Sequence, residues 1–242
     1  MCIRDSYNDV YEKYNYRFRI SRYALGKDYH IVVYEKLKKL LDFIKQQDSE
    51  VQGRIYVDTG PLFEKIWAQK AGIGWIGKNT CLITREAGSW VFLGEILINK
   101  QLNYDKPEEN RCNDCNLCIK QCPTGALTEP FVLNSNLCIS YLTIENKGDI
   151  PAYLWKKVYN RIFGCDTCQE VCPWNIRQKQ TDVSEFSVKK EILNYSIDDF
   201  LNLDKEAFND LFKNSPIKRA GYNGFIRNVK IVKENEKIIF NQ

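Results

Sequence analysis

The chain has 242 residues, 44% apolar and 27% charged, with a formal net charge of +4, the balance of a soluble globular protein with one large domain or two modest ones. Its longest apolar stretch, Val91–Ile98, is short and contains Glu95, which argues against a membrane helix; Met1–Ile20 lacks the apolar run of a secretory signal. A single histidine, His30, argues against a histidine-rich zinc enzyme, and seven of the ten cysteines fall in two tight clusters that fit a reducing cytoplasm better than a disulfide scaffold.

Met1–Ser6 fits no pattern. From His30 to Gln47, apolar residues at Val33, Leu37, Leu40, Leu41 and Ile44 recur at helical spacing and predict an amphipathic helix. Arg54–Val57 reads as a strand ended by Asp58-Thr59-Gly60-Pro61, and Pro61 opens a helix through Ala71 with Gly72 as its stop. Thr80–Thr84 and Trp90–Asn99 read as two strands joined by a turn at Glu86-Ala87-Gly88. Cys81, on the first of them, is expected to be a buried inert thiol. Lys100–Arg111 is a polar linker. Beyond the cysteines, Ser196 with Asp199 marks a capping box, and Ser215-Pro216 opens a last helix. Leu211–Gln242 carries seven Lys or Arg and two Glu, more than the whole positive excess. Such a segment is either a nucleic-acid footprint or a solvated helix face.

Cys112-x2-Cys115-x2-Cys118-x3-Cys122-Pro123 is the bacterial ferredoxin run, in which the fourth cysteine serves the other cluster. A second run follows at Cys165-x2-Cys168-x3-Cys172-Pro173, one cysteine short. Two cubanes need eight thiolates, the runs supply seven, and Cys138 between them is the natural eighth. The expected sets are Cys112, Cys115, Cys118 and Cys172 for one 4Fe–4S cluster, and Cys122, Cys138, Cys165 and Cys168 for the other. Double x2 spacing followed by proline does not suit zinc knuckles.

A ferredoxin would need only this module, yet more than 100 residues precede it. They contain three polar glycine-bearing loops, Ser21–His30, Val57–Pro61 and Gly74–Thr80, that suit a cofactor cavity. Together with Cys138–Glu145 and both cysteine runs in this order, these loops resemble the epoxyqueuosine reductase family from about Arg17 to Asn228. The resemblance implies an α+β fold. Residues 7–105 would form an α/β cobalamin-binding catalytic layer lacking its N-terminal part. Residues 106–180 would form a ferredoxin-like two-cluster module, and residues 181–242 a helical, truncated, tRNA-facing segment.

It implies two 4Fe–4S clusters and cobalamin, used to reduce epoxyqueuosine to queuosine at the tRNA wobble position in the cytoplasm by a monomer fed by an unidentified low-potential donor. The family's cobalamin-pocket motifs match Ser21, Asp58, Leu82, Leu93, Ser140, Gly164 and Cys165, and its proton donor matches Asp58. A carboxyl beside an apolar corrin is expected to keep its proton. Asn146 stands where the family often has a basic or histidine residue facing tRNA, and Lys218, Arg219 and Arg227 are the expected phosphate contacts. Asp28-x-His30 partly matches a cobalt-ligating histidine motif, but Val33 stands where that motif has glycine, so His30 reads as a structural or pocket residue. The competing functions are a corrinoid reductive dehalogenase and a plain ferredoxin-type electron carrier.

Overall fold

A computed structural model describes residues 2–4, 18–176 and 181–240; the expected domain start at residue 7 lies outside them. In chain order its elements begin with β1 (Cys2–Arg4), β2 (Arg19–Ile20), α1 (Tyr29–Gln47), β3 (Gly53–Tyr56), α2 (Glu64–Lys70), β4 (Trp75–Ile76), β5 (Leu82–Ile83), β6 (Val91–Leu93) and β7 (Glu95–Ile98). The cysteine region holds α3 (Leu117–Lys120), β8 (Leu127–Glu129), β9 (Val132–Leu133), α4 (Ile139–Ile144), α5 (Ala152–Val158), β10 (Arg161–Phe163) and α6 (Thr167–Glu170). Then come α7 (Lys190–Leu193), α8 (Ile197–Leu201), α9 (Lys205–Leu211) and α10 (Gly221–Phe240). The fold is α+β.

Asp28 caps α1 by accepting the His30 N–H at 3.0 Å, and Val33, Leu37 and Leu41 of the expected stripe are buried, whereas Leu40 is exposed. The second helix is shorter than expected. It starts at Glu64 because residues 57–62 form a bend that continues past Pro61.

The expected hairpin between the runs at 80–84 and 90–99 is reduced to one bridge, Thr84 to Gly88. The second run breaks at Gly94, where a Cβ would lie 2.6 Å from Leu37 and 2.8 Å from Val33, so packing against α1 divides one apolar run into two strands. β7 pairs antiparallel with β3, β5 with β4, and β6 with β1. Met1–Ser6, expected to fit no pattern, therefore contains a paired strand, with Cys2 opposite Leu93. The capping box of Ser196 and Asp199 is formed, and Ser215 caps the short turn Pro216–Ala220 that leads into α10.

The largest core draws on all three expected segments. Phe18, Ile20 and Leu25 join Ile162 and Phe163 and the phenylalanines at 200, 208, 212 and 225. Phe208, Phe212 and Phe225 stand with ring centres 5.0–5.4 Å apart, within the range of favourable aromatic contact. Among the described residues no helix is long and apolar enough to cross a membrane.

One buried side chain ties α10 to this assembly. Asn228 is fully buried, and its Nδ2 donates to the carbonyls of Thr143 at 2.8 Å and Ile162 at 3.0 Å. Asn228→Leu orphans both carbonyls, and the expected cost is about 2–4 kcal/mol, read as a lowered urea midpoint.

Candidate functional site

Four thiols, Cys112, Cys115, Cys118 and Cys172, line one cavity of about 370 Å³ together with Lys78, Arg111 and Trp174. The first loop is shaped by Asn113, whose φ of 43° is left-handed, and is pinned by Lys78, whose Nζ donates to Asn113 O at 2.6 Å and Asn116 Oδ1 at 3.0 Å. The remaining expected ligands also gather. Cys138 lies within electrostatic reach of Cys165 and Cys122, and Cys168 within reach of Cys165 and Cys138. The chain thus brings both sets together as ligand counting grouped them. Among the described residues no three His, Cys, Asp or Glu side chains converge on a single-ion point. Soft sulfur suits iron. Cys81 differs from expectation. It is not a remote core thiol but stands within hydrogen-bonding reach of Cys168, at the edge of the second set.

Asp58 sits at the end of β3 with a left-handed φ of 56°. Tyr29 donates its hydroxyl to Asp58 Oδ2 at 2.8 Å, and His30 Nε2 stands 3.4 Å from the same oxygen, a charge contact without a well-formed hydrogen bond. On the other side of the ring, Nδ1 lies 2.8 Å from Asp28 Oδ1. Tyr29 is held in turn by Phe92, whose ring stacks on it at 4.4 Å, and by the His30 ring at 4.1 Å.

The charges follow from these contacts. Asp28 first, then Asp58, raises His30 to about 9, so the imidazole is protonated at neutral pH. Asp58 is held below the ordinary carboxylate range, chiefly by His30, then Tyr29, with a smaller contribution from the charge of Arg219. Asp58, expected to keep its proton beside an apolar corrin, has a side chain 59% exposed beside His30, and these contacts favour the ionised carboxylate.

Ser21, Ser140, Gly164 and Cys165 converge. Ser140 Oγ accepts the Cys165 N–H at 3.0 Å and donates to Cys165 O at 3.2 Å. Gly164 has a φ of 72°, and a Cβ there would lie 2.4 Å from Ser21 Cβ. Ser21 Oγ donates to the buried Asp166, which also accepts the Arg22 N–H at 2.8 Å. Leu82 is buried in the β4–β5 pair, next to Ile83 in the core around Trp75 and Cys172. Leu93 lies on β6, where its neighbour Phe92 makes the contact to Tyr29. Asp28 and Tyr29 lie in the Ser21–His30 loop that the sequence singled out, without an assigned role; Phe92 and Asp166 escape sequence reasoning, and only the adjacency of Asp166 to Cys165 could have marked either.

The basic residues divide. Arg227 points inward, donating to the carbonyls of Leu142 at 2.8 Å and Asn146 at 2.9 Å and to that of Gly148. Asn146 closes its own loop, donating to Gly148 O and Asp149 O and accepting the Gly148 N–H. Arg219 is 66% exposed and pairs with Glu145 at 2.9 Å; Lys218 is exposed.

The fold and thiolate geometry define an iron–sulfur protein built on a scaffold much larger than a ferredoxin. The model of the 4Fe-4S double cluster binding domain matches residues 111–175, and that of "Epoxyqueuosine reductase QueG, DUF1730" matches residues 1–59. The chain belongs to the epoxyqueuosine reductase family, a family of oxidoreductases. It is 44% identical to the epoxyqueuosine reductase of Leadbetterella byssophila, over 90% of this chain and 71% of that protein. It is 46% identical to that of Synechocystis sp., over 83% and 70%. Among solved structures, an epoxyqueuosine reductase crystal structure superposes with a TM-score of 0.86 at 37% identity. One with an epoxyqueuosine-modified tRNA stem loop superposes at 0.85 and 37%. The chain spans 58% and 57% of those two solved chains. Family membership sets aside the dehalogenase and electron-carrier alternatives.

If Cys138 is the eighth ligand, Cys138→Ala removes one corner of one cubane only. Reconstituted iron is then expected to fall from about eight to about four per chain, with the spectrum of one cluster retained. Full iron content would move the eighth ligand to Cys81.

Proposed function

We propose that this chain reduces epoxyqueuosine in tRNA to queuosine, with two 4Fe–4S clusters on the two cysteine sets and cobalamin bound between the second set and Asp58. The observation that carries this reading is Tyr23, whose buried hydroxyl senses both Asp166, beside Cys165, and Asp58. Relatives support it: one is solved with an epoxyqueuosine-modified tRNA stem loop, and one from Bacillus subtilis with an aspartate-bearing catalytic loop swung out of its active site.

The residues present fit cobalamin in a limited, checkable way. Asp58 faces open space, as a residue that meets a large planar group from one side must, while Ser21, Ser140 and the Gly164-Cys165 turn present small side chains that allow close approach. Those four residues and Asp58 would hold it, and when bound it supplies a reducible cobalt centre. Leu82 and Leu93 remain weaker candidates for its periphery.

The chain's own residues then manage protons. Removing the epoxide oxygen as water consumes two electrons and two protons. Asp58, ionised at rest, relays the proton that His30 holds 3.4 Å behind it to the departing oxygen, and solvent supplies the second. Asp28 and the stacked Tyr29 keep the imidazole in line with Asp58. Electrons enter from an unidentified low-potential donor. The tRNA substrate places the reaction in the cytoplasm, and the reading asks for no second copy of the chain.

Reconstituted protein with cobalamin, a low-potential reductant and tRNA bearing epoxyqueuosine should yield queuosine, detected by mass analysis of nucleosides. Asp58→Asn keeps size and most hydrogen bonding but cannot donate a carboxylic proton. It is expected to retain iron and cobalamin and to lose turnover by about a hundredfold or more. Near-normal turnover would end the assignment. In the native protein, turnover is expected to be maintained below about pH 9 and to fall above it, because the raised His30 keeps its proton until that point.

The basic segment generates its own test. Lys218 and Arg219 are the residues free to reach phosphate, and Arg219 must exchange Glu145 for it. Lys218→Ala with Arg219→Ala is expected to reduce the salt slope of tRNA binding by about 1–2 without changing iron content. Arg227→Ala should act instead on the stability of the Asn146 loop. An unchanged slope in the double variant returns both residues to a solvated face.

A further inference from the structure

The turn that carries Asp58 is gripped from behind by a carboxyl pair for which the chemistry above has no use. Asp58 adopts its left-handed backbone without being glycine, a conformation that needs support. Its N–H donates to Glu64 Oε1 at 2.5 Å, so the first residue of α2 reaches back across the turn. Glu95, the first residue of β7, sets its carboxyl within hydrogen-bonding reach of Glu64 and lies opposite Tyr56 in the β3–β7 pair. Glu95 Oε2 is buried and has no hydrogen-bond partner. The turn also packs closely on β3, since a Cβ at Gly60 would lie 2.4 Å from the Tyr56 ring.

We propose that Glu64 is a positioning residue that holds Asp58 against His30 and Tyr29, and that a proton shared between Glu64 and Glu95 keeps this hold closed. The proposal rests on the reading of Asp58 as the proton-delivering residue. Two carboxylates in contact cannot both carry charge cheaply, so the pair retains one proton. With Glu95 protonated, its O–H donates to one Glu64 oxygen and leaves the other to accept the Asp58 N–H. Loss of that proton sets two like charges against each other, and Glu64 turns away from Asp58.

Burial first, then Glu64, pushes Glu95 up to about 7. The ionisable groups facing it are Glu64 and Asp58, which favour the proton, and its cross-strand partner Tyr56. A carboxyl raised in the folded state stabilises the closed turn fully below its ordinary value near 4.5, and that contribution is lost as pH rises through about 7.

Hydrogen exchange of the Asp58 amide in the reconstituted full chain, without substrate and corrected for intrinsic rates, reads the hold directly. Its protection is expected to fall about tenfold between about pH 6 and about pH 8. Glu95→Gln should hold protection flat across that range, and Glu64→Ala should lose it at both ends. Glu64→Gln keeps an acceptor oxygen without the charge; it should also be flat, and it serves if the alanine variant does not fold. Protection that is absent or independent of pH in the native chain, or the same fall in Glu95→Gln, overturns the proposal. No turnover is measured, so failure of the reductase reading would show in the nucleoside assay and leave these exchange results standing.

Discussion

Two hydroxyls one helical turn apart on α4 hold the turn on which the candidate site depends. Ser140 grips Cys165 through both its N–H and its carbonyl, and Thr143 Oγ1 accepts the Gly164 N–H at 2.8 Å while donating to Ile139 O at 2.7 Å. Asn228 then ties the Thr143 carbonyl to that of Ile162, so α4, β10 and α10 share one buried knot. Side-chain bonds of this kind are costly to leave half-made in a low-dielectric interior, which makes the knot a constraint as well as a support. It forces Gly164 against Ser21, where only a residue without Cβ fits, and this contact sets Ser21 on Asp166 beside the second thiolate set. The place of Cys165 and the close contact of Gly164 with Ser21 are therefore fixed by the same bonds.

What was legible in the sequence was local. α1 could be read because Val33, Leu37 and Leu41 repeat at the period of the helix, and the capping box because Ser196 and Asp199 satisfy each other within one turn. The thiolate sets were legible because a cubane imposes its own spacing on the chain. Strand partners were not. Nothing within 90–99 announces that Gly94 must yield to Leu37 and Val33, and that packing sends β7 to β3 and β6 to β1. Asp58 was recognisable through its family motif, but the residues that favour its ionised form, His30 and Tyr29, stand almost thirty positions earlier. The same distance hid Glu64 and Glu95, which look like ordinary surface acids until the fold joins them.

The two cysteine sets occupy different surroundings, and the difference orders them. The first set lines a cavity bordered by Lys78 and Arg111, cations that favour the added negative charge of a reduced cluster. In the second set Cys138, Cys165 and Cys168 are half-buried, Cys81 lies against Cys168, and Cys165 abuts the Ser140 and Ser21 face. Electrons entering at the cavity side and leaving at the Ser21 side would cross the module once. Cys172 from the second run lines the cavity of the first set, and Cys122 from the first run lies near Cys138 of the second, which keeps the two sets adjacent.

The C-terminal segment belongs to this electrostatic arrangement rather than to a separate surface. Arg227 and Asn228 are adjacent in sequence and both turn inward, one clamping the Leu142–Gly148 backbone and the other the Thr143 knot. Arg219 points the opposite way, and its charge reaches Asp58 while its side chain pairs with Glu145. Lys147 fixes that arginine's position by donating to the carbonyls of Arg219 and Ala220. A phosphate taken up by Arg219 would compete with Glu145 for the same guanidinium and dilute the positive field that helps keep Asp58 ionised. The exposed pair of Arg219 and Glu145 thus lies within electrostatic reach of Asp58, while the buried residues beside it keep that distance fixed.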